Sequence, residues 1–150
     1  MRVVIQRVKH AEVVIDNKEK SSINEGMLIL VAVEDTDTAE DTEWLTDKIV
    51  KLRIFDDENG VMNKSVIDVD QQVMVVSQFT LFASTKKGNR PSYLRSSKPE
   101  FSKPMYEKFV LVLQNKLNKL VATGEFGADM KVELCNDGPV TMIIDTKLKE

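Results

Sequence analysis

The sequence predicts an α+β fold in which two main helices pack on a mostly antiparallel, twisted and barrel-like sheet. Short apolar runs typical of strands are interrupted by two longer stretches with helical periodicity. Hydrophobic residues make up 42% of the chain and charged residues 30%, as in globular proteins. At 150 residues the chain is the size of one domain, and we expect residues 1–150 to form a single one.

The first half of the chain is predicted to be strands followed by one helix. The last expected strand of this half is almost continuously apolar, which is typical of a central strand. Thr38 and Asp41 have the spacing of a capping box, so a helix should begin there and end near Lys51, with Leu45 and Ile49 on its buried face. Strands are expected at residues 2–8, 13–15 and 27–33.

The second half is predicted to contain the longer helix and the closing strands. Residues 83–103 are polar and interrupted by prolines, so they should form a surface loop. Pro104 suits the first turn of a helix, and an apolar face that includes Leu113 and Leu120 continues until Gly124 ends it. Strands are expected at residues 73–76, 130–135 and 140–144.

Charge is unevenly distributed along the chain, whose net charge is -3. Residues 86–108 contain seven lysines and arginines against two glutamates, a net charge of +5, so the remainder carries -8. Such asymmetry suits a local contact with a polyanion, although a solvated basic loop is the simpler explanation.

Metal and membrane sites are not expected from the composition. Cys135 is the one cysteine and His10 the one histidine, so neither an internal disulfide nor a structural zinc site is predicted. We interpret Cys135 as a small buried thiol within a strand. No run approaches about 18 consecutive apolar residues. The N-terminus also lacks a basic run followed by an apolar stretch, so a cytoplasmic protein is expected.

Residues 77–80 are the candidate reactive segment. Ser77, Gln78, Phe79 and Thr80 directly follow a predicted buried strand, whose end is a rigid support. A hydroxyl can attack a carbonyl or orient water, and backbone N–H groups or the Gln78 amide can stabilise an oxyanion, so these groups fit acyl transfer. A triad that uses His10 is not indicated. Taken alone, the segment is more typical of an edge strand.

Gly138 and Pro139 interrupt the last two predicted strands. Proline removes a ladder donor and glycine weakens a strand, yet the apolar alternation resumes directly after them. An X-Pro bond is also the peptide bond that adopts the cis form at least cost. The pair is therefore either an ordinary turn between strands or a backbone feature held on a rigid support.

Several short motifs occur along the chain in the order found in one enzyme family. The chain resembles the D-aminoacyl-tRNA deacylases over these motifs, from Met1 to about Asp145. The motifs are Ile5-Gln6-Arg7-Val8, Leu52-Arg53-Ile54-Phe55, Met62-Asn63, Ser77-Gln78-Phe79-Thr80-Leu81, Lys87-Gly88-Asn89-Arg90-Pro91-Ser92-Tyr93, Phe126-Gly127-Ala128-Asp129-Met130 and Asn136-Asp137-Gly138-Pro139-Val140-Thr141.

This resemblance implies a cytoplasmic, homodimeric hydrolase that cuts the ester between a D-amino acid and the terminal ribose of tRNA. It implies that no metal or organic cofactor takes part. It also implies a cis bond between Gly138 and Pro139, with the pair from one subunit entering the partner's active site as a chiral selector. The other implied site residues are Ser77, Gln78, Phe79 and Thr80 lining the ester site, Arg7 supporting the selector, and Phe126 and Met130 near the terminal adenosine.

The residues leave parts of this function open. Thr80 could act as a nucleophile, or the site could position the ester while the ribose 2′-hydroxyl assists; we favour the second because no base is evident beside Thr80. A selector that excludes L side chains by a clash should admit glycine, so hydrolysis of glycyl-tRNA is predicted. Two rival functions are an RNA-binding module without catalysis and a small-molecule esterase that uses Ser77.

Overall fold

The computed structural model of the chain describes residues 1–149. Over this range it contains eight strands, two α-helices and one 3₁₀ turn. The strands are β1 (Arg2–Ile15), β2 (Glu19–Ile23), β3 (Gly26–Ala32), β4 (Phe55–Asp56), β5 (Met62–Lys64), β6 (Gln72–Ser77), β7 (Ala122–Thr123) and β8 (Met130–Asp145). The helices are α1 (Ala39–Lys51) and α2 (Pro99–Leu117), and the 3₁₀ turn is Phe79–Phe82.

Six of the strands form one sheet, in the order β2-β1-β3-β6-β7, with β8 also paired to β1. β1 pairs antiparallel with β2, β3 and β8, whereas the pairs β3–β6 and β6–β7 are parallel. The short strands β4 and β5 form a separate antiparallel pair. The predicted α+β class is confirmed, and the main sheet is mixed, with its antiparallel pairings all made by β1.

β1 is one strand of 14 residues, so the prediction of separate strands at residues 2–8 and 13–15 was wrong. Lys9 and His10 break the apolar alternation in the sequence, and both are exposed. The register against β8 shifts between Val8 and His10, so the polar pair is accommodated as an irregularity within a continuing strand.

β8 is likewise continuous, where strands at residues 130–135 and 140–144 were predicted. Gly138 and Pro139 lie inside it and form an irregularity rather than a break. Cys135 lies opposite His10 and is exposed, so its interpretation as a buried thiol was wrong.

α2 begins and ends earlier than predicted. The helix starts at Pro99. Proline is tolerated there because the N–H groups of the first turn have no partner within the helix. Pro104 lies inside the helix. Asn118 adopts a left-handed conformation (φ 52°) and stops the helix before Gly124. Leu120 therefore lies beyond the helix and is 87% exposed, not on its buried face.

Two apolar clusters lie on opposite faces of the main sheet. The larger joins α1 and α2 to one face, where Phe109 and Leu113 belong to the same cluster as Ile29. The smaller lies on the other face and includes Leu28 and Met74. β3 and β6 are thus buried on both sides, which explains their almost continuous apolar sequences and confirms the predicted central strand.

Candidate functional site

β6 ends at Ser77 and carries residues 77–80, here called the strand-end segment, to the surface. Residues 73–76 are fully buried, and Ser77 lies opposite Val31 of the parallel strand β3. The Gln78 N–H donates to the Val31 carbonyl (2.7 Å). The segment therefore starts from a central strand that the core and the ladder both hold in place.

The strand-end segment presents an amide, a hydroxyl and two free backbone donors. Gln78 Nε2 donates to Thr80 Oγ1 (2.6 Å). Phe79 and Thr80 open the 3₁₀ turn, so their N–H groups have no carbonyl within the turn to which they can donate. Neighbouring N–H groups of this kind can stabilise an oxyanion.

The polar loop at residues 83–98 is attached to the strand-end segment. Tyr93 meets the Phe79 ring edge to face, with centroids 5.0 Å apart, and Ser96 Oγ donates to the Phe79 carbonyl (2.6 Å). Further along, Arg95 pairs with Glu34 (3.4 Å). The Phe79 ring remains 56% exposed. Part of the basic stretch of the chain thus adjoins the candidate site.

A small cavity beside Ser77 is walled by Tyr106 and Phe126. The Tyr106 hydroxyl donates to the Val75 carbonyl (3.1 Å). Burial raises the pKa of Tyr106 to about 12, and the nearby Glu107 carboxylate acts in the same direction. The phenol therefore stays protonated at neutral pH and serves as a fixed wall rather than as an acid or base.

Phe126 and Met130, both expected near an adenosine, occupy different surroundings. Among the residues that the structure describes, Phe126 lines the cavity beside Ser77 and Met130 does not. Met130 opens β8 opposite Ile15 and packs, partly buried, against the smaller apolar cluster. The fold therefore brings Phe126, but not Met130, to the strand-end segment of the same chain.

Residues 137–140 of β8, here called the bulge, contain Gly138 and Pro139. The register shift in the β1–β8 ladder places these four residues opposite a single residue of β1, Arg7. The Gly138-Pro139 peptide bond is cis, and both residues are exposed. Gly138 has a φ of +122°, and a Cβ there would lie 2.9 Å from a methyl group of Val140. Glycine is therefore required at this position by conformation and by space.

Arg7 and Asn136 hold the bulge in place. Arg7 is buried; its Nε donates to the Asp137 carbonyl (3.3 Å) and its Nη1 to the Ile54 carbonyl (2.7 Å). Asn136 directly precedes the bulge, and its Nδ2 donates to the carbonyl of Arg7 on β1 (2.9 Å) and to that of Val140 at the far end of the bulge (3.0 Å). Two side chains thus fix a backbone segment that the regular ladder does not reach.

Two carboxylates balance the charge of Arg7. Its Nη1 lies 3.1 Å from Asp56 Oδ1 and its Nε 3.1 Å from Asp137 Oδ2. Lys9 adds a second cation 3.6 Å from Asp137. Asp56 lies in β4 beside Arg7 and takes part in this pairing rather than in solvating the turn at Asn59 and Gly60. Asp57 performs that role, since its Oδ1 accepts two backbone N–H groups of the turn.

Within one chain, the strand-end segment and the bulge lie far apart on the sheet. β6, β3, β1 and β8 are successive neighbours, so three strand spacings, about 14 Å, separate the two regions across the sheet. Ser77 lies opposite Val31 of β3, and Val31 lies opposite Val3 of β1. The bulge faces Arg7, which is four residues, or about 13 Å, further along β1. One chain does not bring Gly138 and Pro139 to residues 77–80.

The structure gives roles to two residues for which the sequence analysis proposed none. Asn136 bridges the ends of the bulge, and Tyr106 walls the cavity beside Ser77. The sequence contained a signal for each role. The first was Asn136 directly before Asp-Gly-Pro, because asparagine side chains often form hydrogen bonds with nearby backbone. The second signal was Tyr106 on a largely apolar helix face, because a buried tyrosine needs a hydrogen-bond partner for its hydroxyl.

Metal ligands and membrane-spanning helices can be assessed over residues 1–149. In that range no group of three or more His, Cys, Asp or Glu side chains is arranged to hold a metal ion. The helices described there also lack the combination of length and apolar character needed to cross a membrane. His10 is exposed on β1, and Ser77 lies at the end of β6.

Comparison with known sequences identifies close relatives over the whole chain. The family described as D-Tyr-tRNA(Tyr) deacylase matches residues 4–145. The D-aminoacyl-tRNA deacylase of Bacteroides fragilis (strain YCH46) is 65% identical over 150 residues, which cover 100% of both chains. Its counterpart in Bacteroides thetaiotaomicron is 61% identical over the same coverage.

Two solved structures share the fold. A protein described as c-Myc DNA Unwinding Element Binding Protein has a TM-score of 0.89 and 36% identity, over 97% of this chain and 98% of its own. A probable eukaryotic D-amino acid tRNA deacylase has a TM-score of 0.82 over 95% of this chain and 97% of its own. At 15% identity, the second likeness concerns the fold alone.

Proposed function

The chain belongs to the D-Tyr-tRNA(Tyr) deacylase family and hydrolyses the ester of D-aminoacyl-tRNA. We propose that the active site of this enzyme is shared between two copies of the chain. Residues 77–80 of one copy form the ester site, and Gly138 and Pro139 of the other copy close it. The observation that carries this proposal is the separation of the two regions, about 14 Å across the sheet and about 13 Å along it.

A twofold homodimer completes two such sites at once. A twofold interface is isologous, so a bulge that reaches the strand-end segment of its partner receives the reverse contact by symmetry. The bulge suits this role because Gly138 and Pro139 are exposed while Arg7 beneath them is buried. A protruding backbone that is rigidly supported can enter a second molecule without first being ordered.

Gly138 and Pro139 select the substrate through their backbone. Their carbonyl oxygens accept hydrogen bonds from the α-ammonium group, which fixes Cα so that a D side chain points to open space and an L side chain into the bulge. Rejection by a clash excludes every L residue and admits many D side chains. Glycine has no side chain to reject, so glycyl-tRNA is also hydrolysed.

Bond breaking takes place at the strand-end segment. Water attacks the ester carbonyl, and the N–H groups of Phe79 and Thr80 stabilise the tetrahedral oxyanion. The carbonyl–oxygen bond to the ribose then breaks, the 2′-hydroxyl assists transfer of the proton to the leaving oxygen, and the free amino acid and tRNA are released. Thr80 is disfavoured as the nucleophile because its hydroxyl accepts a hydrogen bond from the Gln78 amide, which is not a base.

The acceptor end of tRNA supplies the rest of the recognition. Phe126 is assigned to the terminal adenosine because its ring lines the cavity beside Ser77. Met130 is assigned to the same nucleoside on the family resemblance. The scheme uses no metal or organic cofactor, and it places the enzyme in the cytoplasm, where aminoacyl-tRNA is consumed by translation.

Hydrolysis of a matched set of esters tests this function. We expect rapid release from D-tyrosyl-tRNA and glycyl-tRNA, and much slower release from L-tyrosyl-tRNA, L-alanyl-tRNA and a free D-tyrosine ester. A glycyl-tRNA rate no higher than that of L-alanyl-tRNA would refute steric selection. Binding without hydrolysis would favour an RNA-binding module, and equal cleavage of the free ester would favour a small-molecule esterase.

The nucleophile is tested by changing the enzyme and the substrate separately. We expect Thr80→Ala to retain much of its activity, whereas a D-tyrosyl ester on a 2′-deoxy terminal adenosine should react slowly. Abolished activity with intact tRNA binding in Thr80→Ala would instead indicate a threonine nucleophile. Normal reaction of the 2′-deoxy ester would exclude assistance by the ribose.

A further inference from the structure

A groove of about 610 Å³ runs along α2. It is formed by one face of α2 together with residues of β1, β2 and β7 and the segment that follows β7. Its floor is partly apolar, and its rim carries charged side chains of both signs. The residues that line it include Lys20, Lys103, Glu107, Leu111, Glu125 and Phe126.

The groove is continuous with the candidate ester site. Tyr106 and Phe126 line both the groove and the cavity beside Ser77. Their rings form a tilted pair with centroids 5.9 Å apart, so one aromatic pair is the shared wall of the two spaces. A substrate whose ester lies at Ser77 and whose terminal nucleoside lies at Phe126 continues into this groove.

The groove has the chemistry needed for single-stranded RNA. Lys20 and Lys103 can neutralise phosphates, and the exposed Leu111 and the Phe126 ring offer apolar surface to bases. Exposed carboxylates on Glu107 and Glu125 would repel a phosphate but can accept hydrogen bonds from the exocyclic amine of cytosine. The groove therefore combines groups that suit phosphates with groups that suit bases, as nucleotides require and a bare anion does not.

We propose that this groove binds the cytidine nucleotides directly 5′ of the terminal adenosine of the tRNA substrate. The proposal rests on the proposed function, since it extends the same substrate beyond the ester site. It predicts that the enzyme gains catalytic efficiency from these nucleotides and that the gain depends on the groove. Binding of single-stranded RNA through two phosphates should also weaken with salt.

The test compares two esters that differ only in these nucleotides. One is the 3′-O-D-tyrosyl ester of adenosine, and the other is the same ester on cytidylyl-cytidylyl-adenosine. The quantity measured is the ratio of kcat/KM for the trinucleotide ester to that for the adenosine ester. We expect this ratio to exceed about 10 in the wild-type protein at low salt, because each phosphate contact adds to the affinity.

Single substitutions then locate the effect. Lys20→Ala, Lys103→Ala and Leu111→Glu should each lower the ratio by about threefold or more. Lys20 pairs with Glu12 across exposed surface (2.9 Å), so its loss should disturb stability little. Lys108→Ala is the matched control, because Lys108 is an exposed lysine of α2 that does not line the groove.

Each outcome bears on the proposal. A wild-type ratio near one, or groove variants that match Lys108→Ala, would overturn it while leaving the deacylase function intact. Failure of the wild-type protein to cleave either D-tyrosyl ester or D-tyrosyl-tRNA would remove the proposed function and this inference together. A high ratio that falls only in the groove variants supports both.

Discussion

The strand-end segment and the bulge both hold backbone groups at the surface, but different forces fix them. The strand-end segment continues a strand that is buried on both faces and bonded to β3. The bulge departs from its ladder and is held mainly by the side chains of Arg7 and Asn136. The proposed bond-breaking region therefore depends on the core, whereas the proposed selector depends on a few polar contacts.

The largest expected effect comes from removing Arg7. Arg7→Ala leaves the carbonyls of Ile54 and Asp137 without their donor and the bulge without its support, so it should lower the free energy of unfolding by about 3 kcal/mol. Deacylation of D-tyrosyl-tRNA should fall with it. Urea denaturation and kcat/KM are the measurements. The control is Arg53→Ala, which removes an exposed arginine that donates to the Asn63 carbonyl and should change little.

Retention of D/L selectivity in Arg7→Ala would contradict this account, because the bulge would then not need its polar support. Arg7→Lys tests whether the arginine geometry, and not only the positive charge, is needed. Lysine cannot donate to the Asp137 and Ile54 carbonyls in the fork geometry of arginine. We therefore expect it to rescue little of the lost activity.

The strand-end segment could be predicted from the sequence, whereas the bulge could be predicted only in part. An apolar run followed by Ser77 and Gln78 indicated a buried strand that ends in polar groups, because burial on both faces leaves a local signal. Gly138 and Pro139 were predicted to separate two strands because local rules treat both residues as breakers. The continuity of β8 depends on pairing with β1, more than 110 residues earlier in the chain, which no local pattern encodes.

The remaining differences have the same origin. β1 continues through Lys9 and His10 because β8 pairs with it both before and after these two residues, and β2 pairs with it after them. Asp56 reaches Arg7 through a tertiary contact across 49 positions of sequence, which no local pattern indicates. By contrast, the capping box of α1 involves Thr38 and Asp41 alone, and it was predicted correctly.

The second largest effect is expected from the backbone donors of the strand-end segment. Phe79→Pro deletes one of the two N–H groups assigned to the oxyanion and should lower kcat by about 10²- to 10³-fold. Proline is tolerated at the first position of a helical turn, so the fold should persist. Phe79→Leu keeps the N–H and is the control. Equal activity of these two variants would remove the oxyanion role.

A smaller effect is expected from Gly138→Ala, which combines a positive φ with a clash against Val140. The strain should shift the bulge and lower kcat/KM on D-tyrosyl-tRNA by about 10- to 100-fold. Gly88→Ala is the matched control, since Gly88 has a similar φ of +128° but no atom within 4 Å of the point where a Cβ would lie. If both variants behaved alike, backbone strain alone would explain the loss.

The smallest effect concerns a region outside both sites. Burial favours the neutral form of Asp41, but hydrogen bonds from Lys147 and Thr38 outweigh it and hold its pKa below the ordinary value. The ionised group therefore stabilises the fold at neutral pH, and this contribution is lost as the pH falls below about 4. Asp41→Asn should cost about 1 kcal/mol at pH 7, with a difference that shrinks in acid. The D/L selectivity should not change; a change would show that selectivity follows global stability.

Mixing subunits tests the shared active site most directly. Phe79→Pro and Gly138→Ala each damage one of the two regions, so either homodimer has two defective sites. A mixed dimer combines the intact Phe79 of one chain with the intact Gly138 of the other in one of its two sites. Unfolding and refolding an equimolar mixture should therefore restore about a quarter of wild-type deacylation of D-tyrosyl-tRNA. Activity no greater than the average of the two variants alone would contradict a site shared between two copies.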